Sequence, residues 1–225
     1  MIIFDVITIF PAMFDSYLKE SLIARAQKKK LIKINIHNLR KWTTDAHKTV
    51  DDRPFGGGLG MVLKIEPIFK AVKKLSTRTV LVDKKRKVVL FTPRGRKFNQ
   101  KLAFQLSKLD QIIFICGRYE GVDQRVAKHI ADMEISIGDY DLMGGELPAI
   151  VTIEAISRLI PGVLGKEQLL KERITKSGGF IEYEQYTRPE IFRAGNKNWK
   201  VPKVLVSGNH KKIGKWKKAH GKIIE

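Results

Sequence analysis

Three glycine-rich segments hold most of the residues in this sequence that could do chemistry. They are Phe91-Thr92-Pro93-Arg94-Gly95-Arg96, Cys116-Gly117-Arg118-Tyr119-Glu120-Gly121-Val122-Asp123, and a longer stretch from Ser136-Ile137-Gly138-Asp139-Tyr140-Asp141-Leu142 to Met143-Gly144-Gly145-Glu146-Leu147-Pro148. Each reads as a loop at the carboxyl end of a strand, which is where open α/β sheets bind ligands. Glycine lets a backbone approach a ligand closely and adopt φ > 0. One such loop could be a plain turn, whereas three on neighbouring elements point to one composite pocket. The loops offer backbone N–H and C=O groups, the rings of Tyr119 and Tyr140, and several carboxylates. That set suits a neutral-to-cationic small molecule with an adenine-like ring better than a triphosphate. S-adenosylmethionine, with sulfonium and ammonium charges, fits the description.

Other motifs exclude alternatives. Phe55-Gly56-Gly57-Gly58-Leu59-Gly60-Met61 lacks the Gly-Lys-Ser/Thr of a P-loop. It does not open a helix after a strand in the dinucleotide-binding manner. It reads either as a tightly turned loop or as a backbone surface against which a nucleotide lies. Without a glycine fingerprint after the first strand, a pocket for S-adenosylmethionine must come from a fold other than the Rossmann type. Cys116 ends the apolar run 112–116 and reads as core packing rather than a nucleophile. The five histidines form no metal-ligand pattern, and one cysteine permits neither an internal disulfide nor a Cys-rich zinc site.

The elements that must position the loops show in the periodicity. Residues 2–10 are apolar and β-branched like a buried strand, stopped by Pro11. Residues 13–28 have helical spacing, with Phe14, Leu18, Leu22, Ile23 and Ala26 on one face. Residues 32–36, 79–82, 88–91 and 111–116 read as strands; 66–75, 98–109, 122–130 and 147–160 read as helices. The alternation predicts an α/β fold with a largely parallel sheet covered on both faces. Pro161-Gly162-Val163-Leu164-Gly165 ends it. The organisation expected is a pocket-bearing domain over 1–163, a polar linker over 164–179, and a C-terminal domain over 180–225 too short to stand alone comfortably.

The 225 residues carry 43 Lys and Arg against 23 Asp and Glu, a net charge of +20. Such an excess favours a polyanion, with nucleic acid ahead of an anionic membrane. No apolar run approaches the ~20 residues of a membrane span. The opening MIIFDVITIFPAMFD lacks the basic start of a signal peptide, so a cytoplasmic protein is expected. The charge is uneven. Residues 64–101 hold 13 basic and 2 acidic side chains and residues 197–222 hold 9 lysines and no acid, whereas 117–154 hold 3 basic and 8 acidic. A nucleic-acid coat has little use for an acidic centre. A pocket for a cationic cofactor, or a proton acceptor, does.

Taken in order, further segments join these. They are Asp51-Asp52-Arg53-Pro54-Phe55-Gly56-Gly57-Gly58, Gly95-Arg96-Lys97, Cys116-Gly117-Arg118-Tyr119-Glu120-Gly121, Ser136-Ile137-Gly138-Asp139-Tyr140, Gly144-Gly145-Glu146-Leu147-Pro148-Ala149, Arg158-Leu159-Ile160-Pro161-Gly162-Val163-Leu164-Gly165, Tyr186-Thr187-Arg188-Pro189-Glu190 and Ser207-Gly208-Asn209-His210. The ordered set, covering nearly the whole chain, resembles the bacterial tRNA (guanine-N1)-methyltransferases of the SPOUT class. The resemblance implies an α/β sheet with a deep trefoil knot, a rare exception to unknotted topology. It also implies a small, mostly helical C-terminal domain that binds tRNA, and a homodimer whose active sites are shared between protomers. The expected reaction moves a methyl group from S-adenosylmethionine to N1 of the guanosine at tRNA position 37, just 3′ of the anticodon. Magnesium is possible by resemblance only, since no ligand cluster for it is evident.

The resemblance also assigns roles. Cofactor contacts fall to Thr92, Pro93 and Gly95; to Gly117, Tyr119 and Glu120; and to Ile137, Gly138, Asp139, Tyr140, Asp141, Leu142, Gly144, Gly145 and Pro148. Thr92 and Met143 stand where the family often has serine. Guanine N1 carries a proton, so transfer needs a base and a group to hold charge developing on O6. The base falls to Glu182, where the family has aspartate, with Glu184 as its rival; the extra methylene of glutamate matters because ~1 Å of misplacement can cost ~100-fold in rate. Arg158 takes the charge-stabilising role, the alternative being an exposed helix ion pair with Glu154. Glu120, beside the methionine part of the cofactor, could otherwise cap the helix that follows it. RNA contacts fall to Arg188, Asn196, Trp199, Ser207, Asn209, His210 and Trp216, with lysines supplying salt-dependent affinity and the target base flipped out. Many family members continue further past the position of Trp216, and extra lysine would compensate. Ribose 2′-OH methylation of another RNA, and non-catalytic RNA binding, are the competing readings.

Overall fold

The computed structural model describes residues 1–77, 85–165 and 173–224. The strand expected at 79–82 and part of the expected linker lie outside the described residues. The chain divides into two units, Met1–Gln168 and Leu169–Glu225.

The first unit is built on a five-stranded sheet formed by β1 (Ile2–Thr8), β2 (Ile32–Asn38), β5 (Arg86–Lys97), β6 (Gln111–Cys116) and β7 (Met133–Ser136). Their order is β2-β1-β6-β5-β7 and every pairing is parallel. A short antiparallel pair, β3 (Asp51–Asp52) and β4 (Val62–Leu63), lies beside the glycine cluster. The side-chain alternation of each strand feeds two cores. Phe4, Val6, Ile112, Phe114 and Cys116 face one, with α1 (Ser21–Lys28), α3 (Gln100–Leu106) and α5 (Glu146–Ser157) over them. Ile7, Val88, Leu90, Ile113 and Ile115 face the other, beneath α2 (Ile65–Thr77) and α4 (Gln124–His129). Both faces are therefore dry, as a parallel sheet requires. Each fully buried Phe or Ile contributes about 1.5–3 kcal/mol relative to exposure.

Two expectations are corrected. Residues 13–28 are not one helix: two 3₁₀ turns, Pro11–Phe14 and Tyr17–Lys19, precede α1, and Glu20, just before α1, is extended. The apolar spacing still works, because Phe14, Leu18, Ile23 and Ala26 are all buried. Thr92 to Gly95 are not a loop after a strand but fall inside β5, as a bulge in its ladder with β7: Phe91 and Arg96 both pair with Ile135. Gly95 permits this: a Cβ there would sit 2.5 Å from the Ile135 backbone nitrogen.

One charge is buried in the sheet. The Asp5 carboxylate accepts hydrogen bonds from Asn35 Nδ2 at 2.9 Å and Gln111 Nε2 at 2.7 Å, and pairs with His37 Nε2 at 2.7 Å. Burial alone would raise its pKa, but bonds from His37, Gln111 and Asn35 outweigh burial and hold the carboxyl below its ordinary value.

The second unit contains β8 (Phe180–Glu182) paired antiparallel with β11 (Lys222–Ile224), the hairpin of β9 (Ile191–Ala194) and β10 (Lys197–Lys200), and the helices α6 (Lys203–Val206) and α7 (His210–Ala219). Helices thus share it with two antiparallel ladders. Residues 173–179, expected within the linker, form a tight turn in which Thr175 N–H donates to Gly179 O at 2.8 Å.

Candidate functional site

Because the sheet is parallel, its carboxyl ends emerge along one edge, and there the first unit has a cavity of about 520 Å³. Thr92 and Pro93 line it from β5. Gly117, Tyr119 and Glu120 line it from the loop after β6. Ile137, Gly138, Tyr140, Asp141, Leu142, Gly144 and Gly145 line it from the loop after β7, and Pro148 from the first turn of α5. Two expected residues stay outside the lining. Gly95 is packed on the β7 backbone, and exposed Asp139 pairs with Lys97. Arg94 and Gln124 line the cavity without having been expected, and Arg94 Nη2 donates to Gln124 Oε1 at 2.8 Å. Glu134 and Arg118 do so too. Glu134 could have been found from its place on the strand leading into the third loop; the Arg94–Gln124 pair has no local signal.

The loops hold one another. Gly145 N–H donates to Gly117 O at 3.0 Å, and Arg118 forms an isolated antiparallel bridge with Gly144. Gly145 presses on β6 so closely that a Cβ would lie 2.7 Å from Cys116 Cα. Tyr119 has φ +61°, a conformation costly for a ringed side chain, and hydrogen bonds on either side secure it: Glu120 N–H to Met61 O and Gly121 N–H to Arg118 O, both 3.0 Å. The first of these ties the glycine cluster of residues 55–61 to the pocket. Glu120 is not the helix cap; Asp123 caps α4 by accepting from Arg125 N–H. The lining carries the carboxylates of Glu120, Glu134 and Asp141 against the guanidiniums of Arg94 and Arg118, and Arg118 is already paired with Glu146 at 2.9 Å. The balance favours a neutral or cationic ligand. Burial, then the Glu146 charge, pushes the Cys116 thiol well above its ordinary pKa, so it is protonated core.

Arg158 is exposed at the carboxyl end of α5 and is absent from the cavity lining. The Glu154 carboxylate on that helix accepts from Tyr17 Oη at 2.6 Å, and burial together with this bond pushes the Tyr17 phenol up to about 12.

The remaining expected residues belong to the second unit. Glu182 is on β8 opposite Lys222, and its Oε2 accepts from Arg173 Nη1 at 3.1 Å. That guanidinium also lies 4.7 Å from the Tyr183 ring centroid, with Lys217 Nζ at 4.9 Å. Burial would raise the Tyr183 pKa, but bonds from Arg173 and Lys217 bring it below the ordinary value. Glu184 accepts from Tyr186 Oη at 2.8 Å. Arg188 lines a recess with Tyr186 and Glu190, Asn196 is in the β9–β10 turn, and Trp199 packs its ring 5.7 Å from Phe192. Ser207 closes α6, Asn209 caps α7 by accepting from Lys212 N–H, and His210 is the first residue of that helix. Trp216 stacks on His220 at 4.2 Å and meets Tyr186 edge-on.

Among the described residues no group of three or more His, Cys, Asp or Glu could hold a metal ion, so no residue is assigned to magnesium. Among them, too, no helix is long and apolar enough to cross a membrane.

Residues 2–223 match the family described as tRNA (Guanine-1)-methyltransferase TrmD. A tRNA (guanine-N(1)-)-methyltransferase of Carboxydothermus hydrogenoformans is 50% identical over 214 residues, covering 95% of this chain and 80% of the relative. That of Dictyoglomus turgidum is 50% identical over 218 residues, covering 97% and 84%. That of Staphylococcus carnosus is 49% identical over 213 residues, covering 95% and 83%.

Proposed function

The chain belongs to the tRNA (guanine-N1)-methyltransferase family, and we propose that it methylates N1 of the guanosine at tRNA position 37 with S-adenosylmethionine as donor. The observation that carries the reading is the cavity at the sheet's carboxyl edge, which gathers the three glycine-rich loops into one lining with carboxylates and the Tyr119 and Tyr140 rings. The lining fits the donor in size, in ring-stacking surface and in charge. When bound, the donor supplies an electrophilic methyl group on a sulfonium. The residues of this chain hold and orient it: Glu120 and Asp141 answer its positive charge, and backbone groups of the Gly117 and Gly144–Gly145 segments answer its polar edges. The knotted SPOUT topology is proposed from the family, with Thr92 and Pro93 entering the lining from β5, the strand between β6 and β7.

The base is a carboxylate in the segment just before Tyr186, with Glu182 as the first candidate and Arg158 holding charge on O6. The Arg173–Glu182 pair supports a second reading, in which Glu182 is structural and Glu184 accepts the proton. Glu182→Gln separates them. A loss of about 100-fold or more in single-turnover rate, with cofactor affinity intact, assigns the base to Glu182; a near-normal rate moves it to Glu184 or elsewhere.

Two copies of the chain associate, and the C-terminal unit of one completes the site of the other. The support is α5, whose flank turned from the core leaves Leu147 53% and Val151 45% exposed. Tyr17 extends that flank through its bond to Glu154. A tRNA substrate makes the cytoplasm the expected compartment. Mass mapping of tRNA nucleosides after incubation with protein and donor is the test. One methyl on the base of guanosine 37 is expected; methyl on ribose, or no methyl at all, overturns the reading.

A further inference from the structure

Glu146 is fully buried, at 0% exposure, and does not line the cavity. Both its oxygens are engaged. Thr8 Oγ1, at the end of β1, donates to Oε1 at 2.6 Å, and Arg118 Nε, in the loop after β6, donates to Oε2 at 2.9 Å. Thr8 Oγ1 in turn accepts from Phe10 N–H at 2.9 Å. The Arg118 guanidinium lies 4.7 Å from the centre of the Phe10 ring, and its Nη2 reaches Met13 Sδ at 2.9 Å. The contacts close a circuit: Phe10 to Thr8, Thr8 to Glu146, Glu146 to Arg118, Arg118 back to Phe10.

We infer that this circuit sets the geometry of the cofactor pocket, with Glu146 as its positioning residue. The inference rests on the pocket being the S-adenosylmethionine site. A carboxylate with no exposure is tolerated only where partners satisfy it, and its place as the first residue of α5 adds a favourable helix dipole. Those partners come from two segments far in sequence from each other and from Glu146 itself, so the charge is satisfied only when all three segments converge. Two of the segments carry the lining. The Arg118 side chain lies across Gly144, where a Cβ would collide with it, and the Arg118 backbone bridges Gly144. Gly117 and Tyr119 on one side, and Gly144 and Gly145 on the other, are thereby held in register from behind. Glu146 touches none of the space a ligand would occupy. Its effect on the ligand passes through the two loops.

The test compares S-adenosylmethionine affinity by calorimetry with tRNA affinity by filter binding. Glu146→Gln keeps the shape and removes the charge. The expected result is a cofactor Kd raised about tenfold with the tRNA Kd within about twofold of the original. The cofactor KM should rise by more than kcat falls. A folded Glu146→Gln protein with unchanged cofactor Kd overturns the inference, as does an equal loss of both affinities. Should that variant not fold, Thr8→Val removes one donor and leaves the Arg118 pair. It should raise the cofactor Kd about threefold, and an unchanged value overturns the inference equally. If the unsubstituted protein binds no S-adenosylmethionine, the pocket reading itself falls, which is distinguishable from a failure confined to the variants.

Discussion

The two units solve opposite problems. Met1–Gln168 buries Phe4, Val6, Phe114, Ile112 and Ile153 completely, on both faces of a parallel sheet. In Leu169–Glu225 no described hydrophobic side chain is buried, and Trp199 stands 62% exposed. The first has enough apolar surface to build a rigid edge and a pre-formed cavity. The second has its lysines and aromatic rings outside, where they are available to a polyanion. The contrast teaches that geometry already in place suits a small molecule, whereas a surface of charge and exposed rings suits a polyanion.

The contrast can be broken by substitution. Phe114→Ala, between the rings of Phe4 and Phe91, should cost about 3–5 kcal/mol in denaturant unfolding; a cost below about 1 kcal/mol would contradict a closely packed first unit. Asp5→Asn leaves buried donors without their charge partner and should cost about 1–3 kcal/mol near neutral pH. Because the folded pKa of Asp5 lies below its unfolded value, the stabilisation is full above pH ~4. It fades as the pH falls through the depressed folded value. Unfolding measured across that acid range should show a weaker pH dependence in Asp5→Asn. Trp199→Ala should move folding stability by less than about 0.5 kcal/mol while weakening tRNA binding. A large loss of stability there would show that the ring is core after all. Replacing Lys211, Lys212 and Lys215 of α7 with Ala should leave stability nearly unchanged. It should flatten the salt dependence of tRNA affinity by about 0.7–0.9 in log–log slope for each phosphate no longer neutralised.

Legibility in the sequence followed how local the governing physics is. Strand β6 matches the span expected at 111–116, because Gln111 and five apolar residues bounded by Asp110 and Gly117 admit little else. Helix α2 likewise follows from its amphipathic spacing. The place of Thr92-Pro93-Arg94-Gly95 inside β5 was hidden, because those residues read as a turn and only the renewed pairing of Arg96 and Lys97 with β7 carries the strand past them. The separation of Gly95 and Asp139 from the rest of the candidate lining has the same origin: one is claimed by a neighbouring strand, the other by Lys97. Glu146 sits in plain view after two glycines, yet its partners are 138 and 28 residues away.

By itself the sequence determined the α/β alternation, the three glycine-rich loops, the acidic centre between basic flanks, and the residue types able to hold a cationic cofactor. These follow from composition and short-range periodicity, which are written in consecutive residues. Only the tertiary structure decided which loop residues share one cavity, that Arg118 is held by a buried carboxylate that also accepts from Thr8, that Glu182 is paired with Arg173, and that the carboxyl ends of the parallel strands lie along one edge. Those depend on burial and on contacts between distant segments, where the cost of an unpaired charge in a dry interior selects one arrangement among many.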